Sequence, residues 1–148
     1  WNMPVNVSTA TPVSPVSIRY NTTSSSCSDT LVTTGAYLAR IKEYEAIPAA
    51  PEYEGLKNRL KDMADKYAAT VAKITEAKDQ ELLDFTARRL VEMAGYIIMG
   101  HLLVQDAGKS DLFAESAQVF VRYAEAEVDK HSMFIFRLDK DDLAYYRK

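Results

Sequence analysis

The chain has 148 residues, a net charge of −3, 47% hydrophobic and 26% charged residues, and a pI of about 5.4. That length suggests one domain able to bury a core without disulfides or metals. The acidic balance argues against a nucleic-acid surface, since Arg88-Arg89 and Arg147-Lys148 are the only adjacent basic pairs.

Cys27 stands alone, which excludes an intrachain disulfide and a thiolate metal cage. The longest apolar stretch, Leu90–Val104, is interrupted by Glu92 and His101. At roughly 15 residues it is shorter than the ~20 needed to cross a bilayer, so no membrane span is expected. The start, Trp1-Asn2-Met3-Pro4, has no basic n-region and no apolar h-region. A cytoplasmic location is therefore the expectation, and an opening without Met fits a fragment or a processed product.

Residues 1–34 are rich in Ser, Thr, Val and Pro, and Arg19 and Asp29 are their only charges. Such a stretch buries too little surface to offset its ordering entropy, so a disordered, extended or linker segment is expected. Its two sequons, Asn6-Val7-Ser8 and Asn21-Thr22-Thr23, are of a kind that arises by chance in any Ser/Thr-rich run.

From residue 35 to 148 a helical bundle is expected. A short helix over about Ala36–Glu45 is predicted, with Thr34 as cap and Leu38, Ile41 and Tyr44 on one face. Pro48 and Pro51 then forbid a continuous helix.

The second helix is predicted from Pro51 or Glu52 to about Ala77. Leu56, Leu60, Met63, Tyr67, Val71 and Ile74 recur at three and four residues and form one stripe. The third, about Gln80–Ala107, has Leu83, Leu90, Ala94, Ile97, His101 and Val104 near one face. Leu82, Met93, Tyr96 and Leu103 broaden that face until the second half is apolar nearly all round, so this helix should sit at the bundle centre. Asp84 and Arg88 stand in the favourable i,i+4 order, and Gly108 follows as a C-cap.

Ser110 or Asp111 caps the fourth helix, about Leu112–Arg137, whose stripe is Phe113, Ala117, Phe120, Ala124, Val128, His131 and Ile135. The tail is charged and then aromatic, and a short helical turn is expected there. The connectors Lys78-Asp79 and Gly108-Lys109-Ser110 are short enough to force neighbours antiparallel. The fold class is thus all-α: an up-down antiparallel bundle of three long helices plus a short N-terminal one. A central helix apolar on every side asks for more cover than two neighbours supply, which implies a partner surface.

Catalytic and metal chemistry is sparse. Di-iron bundles need Glu-x-x-His, and the nearest match, Glu127 to His131, has the wrong spacing. His131 reads as a helix residue paired to Glu127 at i,i+4. His101, on the apolar helix, reads as a satisfied core histidine held neutral by burial. No nucleophile elbow and no glycine-rich phosphate loop occurs. Gly95 and Gly100 lie inside a helix, where close helix–helix approach is the expected reason. Tyr67, Tyr96 and Tyr123 read as core. No residue is assigned as catalytic, cofactor-binding or metal-ligating.

Three segments carry a resemblance. They are Ala36-Tyr-Leu-Ala-Arg-Ile-Lys-Glu-Tyr-Glu45, Ala87-Arg-Arg-Leu-Val-Glu-Met-Ala-Gly-Tyr-Ile-Ile-Met-Gly100, and Ser116-Ala-Gln-Val-Phe-Val-Arg-Tyr-Ala-Glu-Ala-Glu-Val-Asp-Lys-His131. From about Gly35 onward the chain is similar to the C-terminal helical tail of acyl-CoA dehydrogenases from Bacteroidetes-type bacteria. Residues 1–34 do not fit that pattern.

The resemblance implies an FAD flavoprotein that oxidises acyl-CoA thioesters between Cα and Cβ, assembled as a homo-oligomer. It also implies that the FAD belongs to the parent enzyme and not to this chain. The family's β-domain is absent, as is the Gln-Gly-Gly stretch that contacts the neighbour's flavin. Tyr53-Glu54-Gly55 echoes the family's catalytic-base tripeptide, but a charged helical start follows and the Thr or Asn after the Gly is missing. The expected role is a structural or interaction domain. Its partner is then the catalytic body or a second copy of the chain. The alternatives are a free-standing helical adaptor or oligomerisation module and, more weakly, a small catalytic bundle.

Overall fold

The computed structural model describes Val32 and residues 35–146. Apart from Val32, the segment expected to be disordered, with its sequons and Cys27, lies outside the described residues, as do Arg147 and Lys148. Five α-helices are delimited among the described residues: α1 (Ala36–Glu45), α2 (Glu54–Ala77), α3 (Gln80–Ala107), α4 (Ala114–Arg137) and α5 (Leu143–Tyr146). Among the described residues there is no strand. One-turn 3-10 segments at Pro51–Tyr53, Asp111–Phe113 and Lys140–Asp142 lead into α2, α4 and α5.

The ends of the helices follow from local chemistry. The expected cap Thr34 lies outside the described residues. Gly35 holds the capping position of α1 at φ 71°, a left-handed turn that costs glycine little. Pro51 opens the first 3-10 turn, where its missing N–H has no role to lose.

The α2–α3 reversal takes two residues. Lys78 turns left-handed at φ 50°, and the Asp79 carboxylate accepts from the Glu81 and Leu82 amides at 3.0 and 3.3 Å. Gly108 follows α3 as expected, but at φ −67° its special freedom is not used. The helix ends because the Lys109 and Ser110 amides both turn back onto the Asp106 carbonyl. Ser110 then accepts from the Leu112 amide, as the sequence suggested.

Side-chain pairs fix the topology. Arg59–Glu125, Lys66–Asp129 and Thr70–Ser132 are separated by 66, 63 and 62 residues, so α2 and α4 run parallel. Phe85–Phe134, Glu92–His131 and Tyr96–Tyr123 pair rising numbers on α3 with falling numbers on α4, so these two are antiparallel. α3 packs against α4, α2 and α1 and is the centre of the bundle. α1 thus supplies part of the extra cover that an all-round apolar helix needs.

The stripes read from the sequence form the core. Leu60, Met63, Tyr67, Val71 and Ile74 of α2 are buried, with Leu56 half-buried. So are Leu82, Leu83, Leu90, Met93, Ala94, Ile97, His101 and Val104 of α3. On α4 the stripe needs correction. Phe113 is 39% exposed because it belongs to the 3-10 turn and not to the helix, and Val121, fully buried, takes a place on the inner face. The expected Asp84–Arg88 pair does not form. Arg88 Nε donates to Glu92 at 2.9 Å, and Asp84 accepts from the Gln80 amide at 2.7 Å. Val32 is buried against the same core, just before the expected domain boundary.

The α2–α4 seam carries polar contacts along its length. Thr70 donates its hydroxyl to the Lys66 carbonyl at 2.7 Å, so in its 3.0 Å contact with Ser132 the serine is the donor. Lys73 Nζ donates to the Ile135 and Phe136 carbonyls at 3.0 and 2.6 Å, placing a cation on the negative end of α4. Behind α4 the tail folds back, and Lys140 pairs with Asp79 at 2.8 Å.

Candidate functional site

The residues that could carry chemistry are dispersed. Glu54 stands in the first turn of α2, exposed, in a polar recess shared with Glu45, Lys57, Asn58 and Lys61. Removing the α-proton of a thioester needs a carboxylate fixed over its substrate in a dry site. Glu54 has the opposite surroundings, whereas its neighbour Tyr53 is buried.

His101 is 3% exposed, and its ring stacks on Tyr44 of α1 with centroids 6.3 Å apart. Burial, with the Lys57 charge added, pushes it down to about 4, so it is neutral. It differs from the sequence expectation in one respect: among the described residues Nε2 has no hydrogen-bond partner. The same holds for Gln105 Nε2, one turn further on.

His131 lies between two carboxylates. Its Nε2 is 3.8 Å from Glu127, the expected i,i+4 partner, and closer, at 3.3 Å, to Glu92 on α3. Glu92 in turn takes Arg88, whose hydrogen bond holds its carboxyl below the usual range, and Lys130 takes Glu127. Burial and the Lys130 charge keep His131 below the ordinary histidine value, against the opposite pull of the two carboxylates. With a cation already on each carboxylate, the cluster links α3 to α4 and offers no free ligand set. Among the described residues no group of three or more His, Cys, Asp or Glu side chains is placed to hold a metal ion.

Gly100 has the expected role: a Cβ there would fall inside the contact distance of Leu60 Cδ2. Gly95 does not; none of the described residues lies within 4 Å of where its Cβ would be. Tyr67 is core, Tyr96 is half-buried, and Tyr123 is corrected to 52% exposed.

Gly95 and Tyr123 belong to one outward face. On α3 the ridge Arg88, Gly95, Met99, Leu102, Asp106 points away from the core, with Met99 and Leu102 51% and 42% exposed. On α4 the adjoining ridge carries Val119 and Tyr123, and Leu112 and Phe113 sit at its end. Tyr96 fills the furrow between the helices, edge-on to Tyr123 at 5.8 Å and tilted against Phe120 at 6.4 Å. At roughly 150–200 Å² for a large side chain, these exposures sum to about 600 Å² of apolar surface, the upper end for a monomer's largest patch. The sequence placed a partner-seeking strip on α3; it did not place half of that strip on α4. The hydrophobic pattern of α4 was legible there, but which α4 residues adjoin α3 depends on the packing angle.

Residues 33–143 match the family described as acyl-CoA dehydrogenase C terminal. The fold is similar to a crystal structure of an acyl-CoA dehydrogenase family protein from Porphyromonas gingivalis. The TM-score is 0.72 and the identity 43%, over 76% of this chain and 97% of that one. The solved chain therefore consists almost entirely of the matched helical region. No match is found among curated proteins.

Proposed function

The chain belongs to the acyl-CoA dehydrogenase C-terminal family, and from that premise we propose that it is the structural and interaction domain of an FAD-dependent acyl-CoA dehydrogenase. The parent enzyme oxidises acyl-CoA thioesters of fatty acid metabolism at Cα–Cβ in the cytoplasm, as a homo-oligomer. This domain holds a protein surface and performs no chemistry. The observation that carries the reading is the outward α3–α4 face, where Met99, Leu102, Val119 and Tyr123 meet water at 42–68% of their surface.

The surroundings of Glu54 support the division of labour. A flavin site needs a cradle for the pyrophosphate and a dry slot for the ring. The described residues do not fit one: Glu54 lies among Lys57, Lys61 and Glu45 in open solvent. The flavin then belongs to the rest of the enzyme. No helix among the described residues is long and apolar enough to cross a membrane.

The purified chain is expected to be colourless, without a flavin absorption band and without acyl-CoA-dependent dye reduction. A yellow protein, or dye reduction by the chain alone, overturns the reading. The coverage of the Porphyromonas chain favours an independently folding unit, so a free-standing adaptor is the second reading. A dehydrogenase body encoded in frame directly before this segment decides for the first.

A further inference from the structure

The first helix is held to the bundle differently from the rest. Of its ten residues only Ile41 is buried, whereas α2 and α4 bury seven each and α3 twelve. The polar contacts of α1 are internal: Arg40 pairs with Glu43 at 2.6 Å and lies over the Tyr44 ring at 5.1 Å. Among the described residues no hydrogen bond or ion pair ties an α1 side chain to another helix, and no side chain caps its first turn. Ten residues are also fewer than the ~12–15 below which an isolated helix is marginal in water. Of the longer helical elements, α1 is the one that can open locally at least cost.

What α1 covers is poorly matched to a cover. Tyr44 stacks on the ring of His101, and the buried His101 Nε2 is unpaired among the described residues. Gln105 Nε2, one turn further along the same face of α3, is in the same state. A buried polar atom without a partner has lost its water and gained nothing in exchange, so closure of this corner carries a penalty that opening relieves.

We infer that α1 is a latch on the α2–α3 groove, and that His101 opens it by taking up a proton. The ring cannot carry a charge where it lies. Facing it are the Tyr44 phenol from α1, the Lys57 ammonium from α2 and the neutral Gln105 amide on its own helix, and no charged group of α4 acts on it. An imidazolium would meet a like charge, no carboxylate and no water. With α1 swung away, water solvates it. Gly35, in the left-handed turn before α1, bounds the moving piece on one side. The connector with Pro48 bounds it on the other, tied to α2 where Lys57 Nζ donates to the Ile47 carbonyl at 2.8 Å. The closed ring titrates near 4 and an exposed one near 6.5, so the open form binds the proton first as the pH falls. Between pH 7.5 and pH 5 the opening equilibrium gains about thirtyfold. The core of α2, α3 and α4 stays closed meanwhile, because its contacts with one another do not pass through α1.

The test is amide hydrogen exchange on the whole chain, read residue by residue at pH 7.5 and pH 5 and corrected for the intrinsic exchange rate. The α1 amides are expected to exchange faster than the core amides of α2, α3 and α4 at both pH values. Their opening constant is expected to rise about thirtyfold at pH 5 in the wild type and to stay constant in His101→Phe. Val128→Ala, in the α4 core, should speed exchange of the core amides and leave α1 opening unchanged, because α1 opens without unfolding α4. Equal protection of α1 and the core overturns the proposal. So does α1 exchange that follows Val128→Ala, an α1 opening indifferent to pH, or a pH response that survives His101→Phe.

Discussion

Between Met93 and Val104 the two sides of α3 are almost equally apolar and have opposite fates. The inner side, with Leu90, Met93, Ile97 and Gly100, is sealed against α1, α2 and α4. The outer side, with Gly95, Ile98, Met99 and Leu102, is half covered or open. The contrast teaches that hydrophobicity alone does not mark a core. A helix can read as all-round apolar while its own fold seals only one side.

The sharpest way to break the comparison is at neighbouring isoleucines. Ile97 is fully buried and Ile98 only partly. Ile97→Ala should cost roughly 2–5 kcal/mol, the transfer term plus the cavity it leaves. Ile98→Ala should cost much less in the monomer. Denaturant melts of the two variants decide it, and equal losses would mean that the two sides are not distinct.

The buried histidine of the inner side gives the next largest effect. His101 titrates near 6.5 when unfolded and near 4 when folded. Above pH 6.5 both states are neutral. As the pH falls the unfolded chain binds the proton first, so stability drops between pH 6.5 and 4 by roughly 3 kcal/mol at full extent. His101→Phe keeps a ring on Tyr44, removes the unpartnered Nε2 and should flatten that part of the pH profile. An acid profile unchanged by this substitution would show that other groups govern it.

The two glycines of α3 should respond with opposite signs. Gly100→Ala drives a methyl into the end of the Leu60 side chain, which is fully buried and has to shift within the packed core. About 1–3 kcal/mol of overpacking should outweigh the gain in helix propensity. Gly95→Ala meets open space and should stabilise the monomer by up to about 1 kcal/mol. Thermal midpoints of the two variants should therefore move apart.

The smallest effect belongs to the chain before the bundle. Deleting residues 1–31 should leave the midpoint nearly unchanged, within the ~2–4 °C that 1 kcal/mol produces in a domain of this size. Extending the deletion through Thr34 also removes buried Val32 and should lower it measurably. A large drop from the shorter deletion would place the edge of the folded unit earlier in the chain.

The amino-acid sequence by itself determined the helix count and the connectors, and the family too, through its three matching segments. It also determined which side of α2 faces inward, because helical period and turn chemistry are local properties. Some of its errors were local, as at Asp84–Arg88 and Phe113, but at three places the deciding partner was distant in the chain. His131 found Glu92 across the bundle nearer than Glu127 on its own helix. Tyr123 lay open and Val121 buried, because the angle at which α4 meets α3 chooses which of two adjacent apolar ridges is covered. Gly95 and Gly100 share a helix and a residue type, yet only Leu60, forty positions upstream, tells them apart. Tertiary structure alone decided these points, because burial depends on what packs against a side chain, and helical period records only which residues share a face.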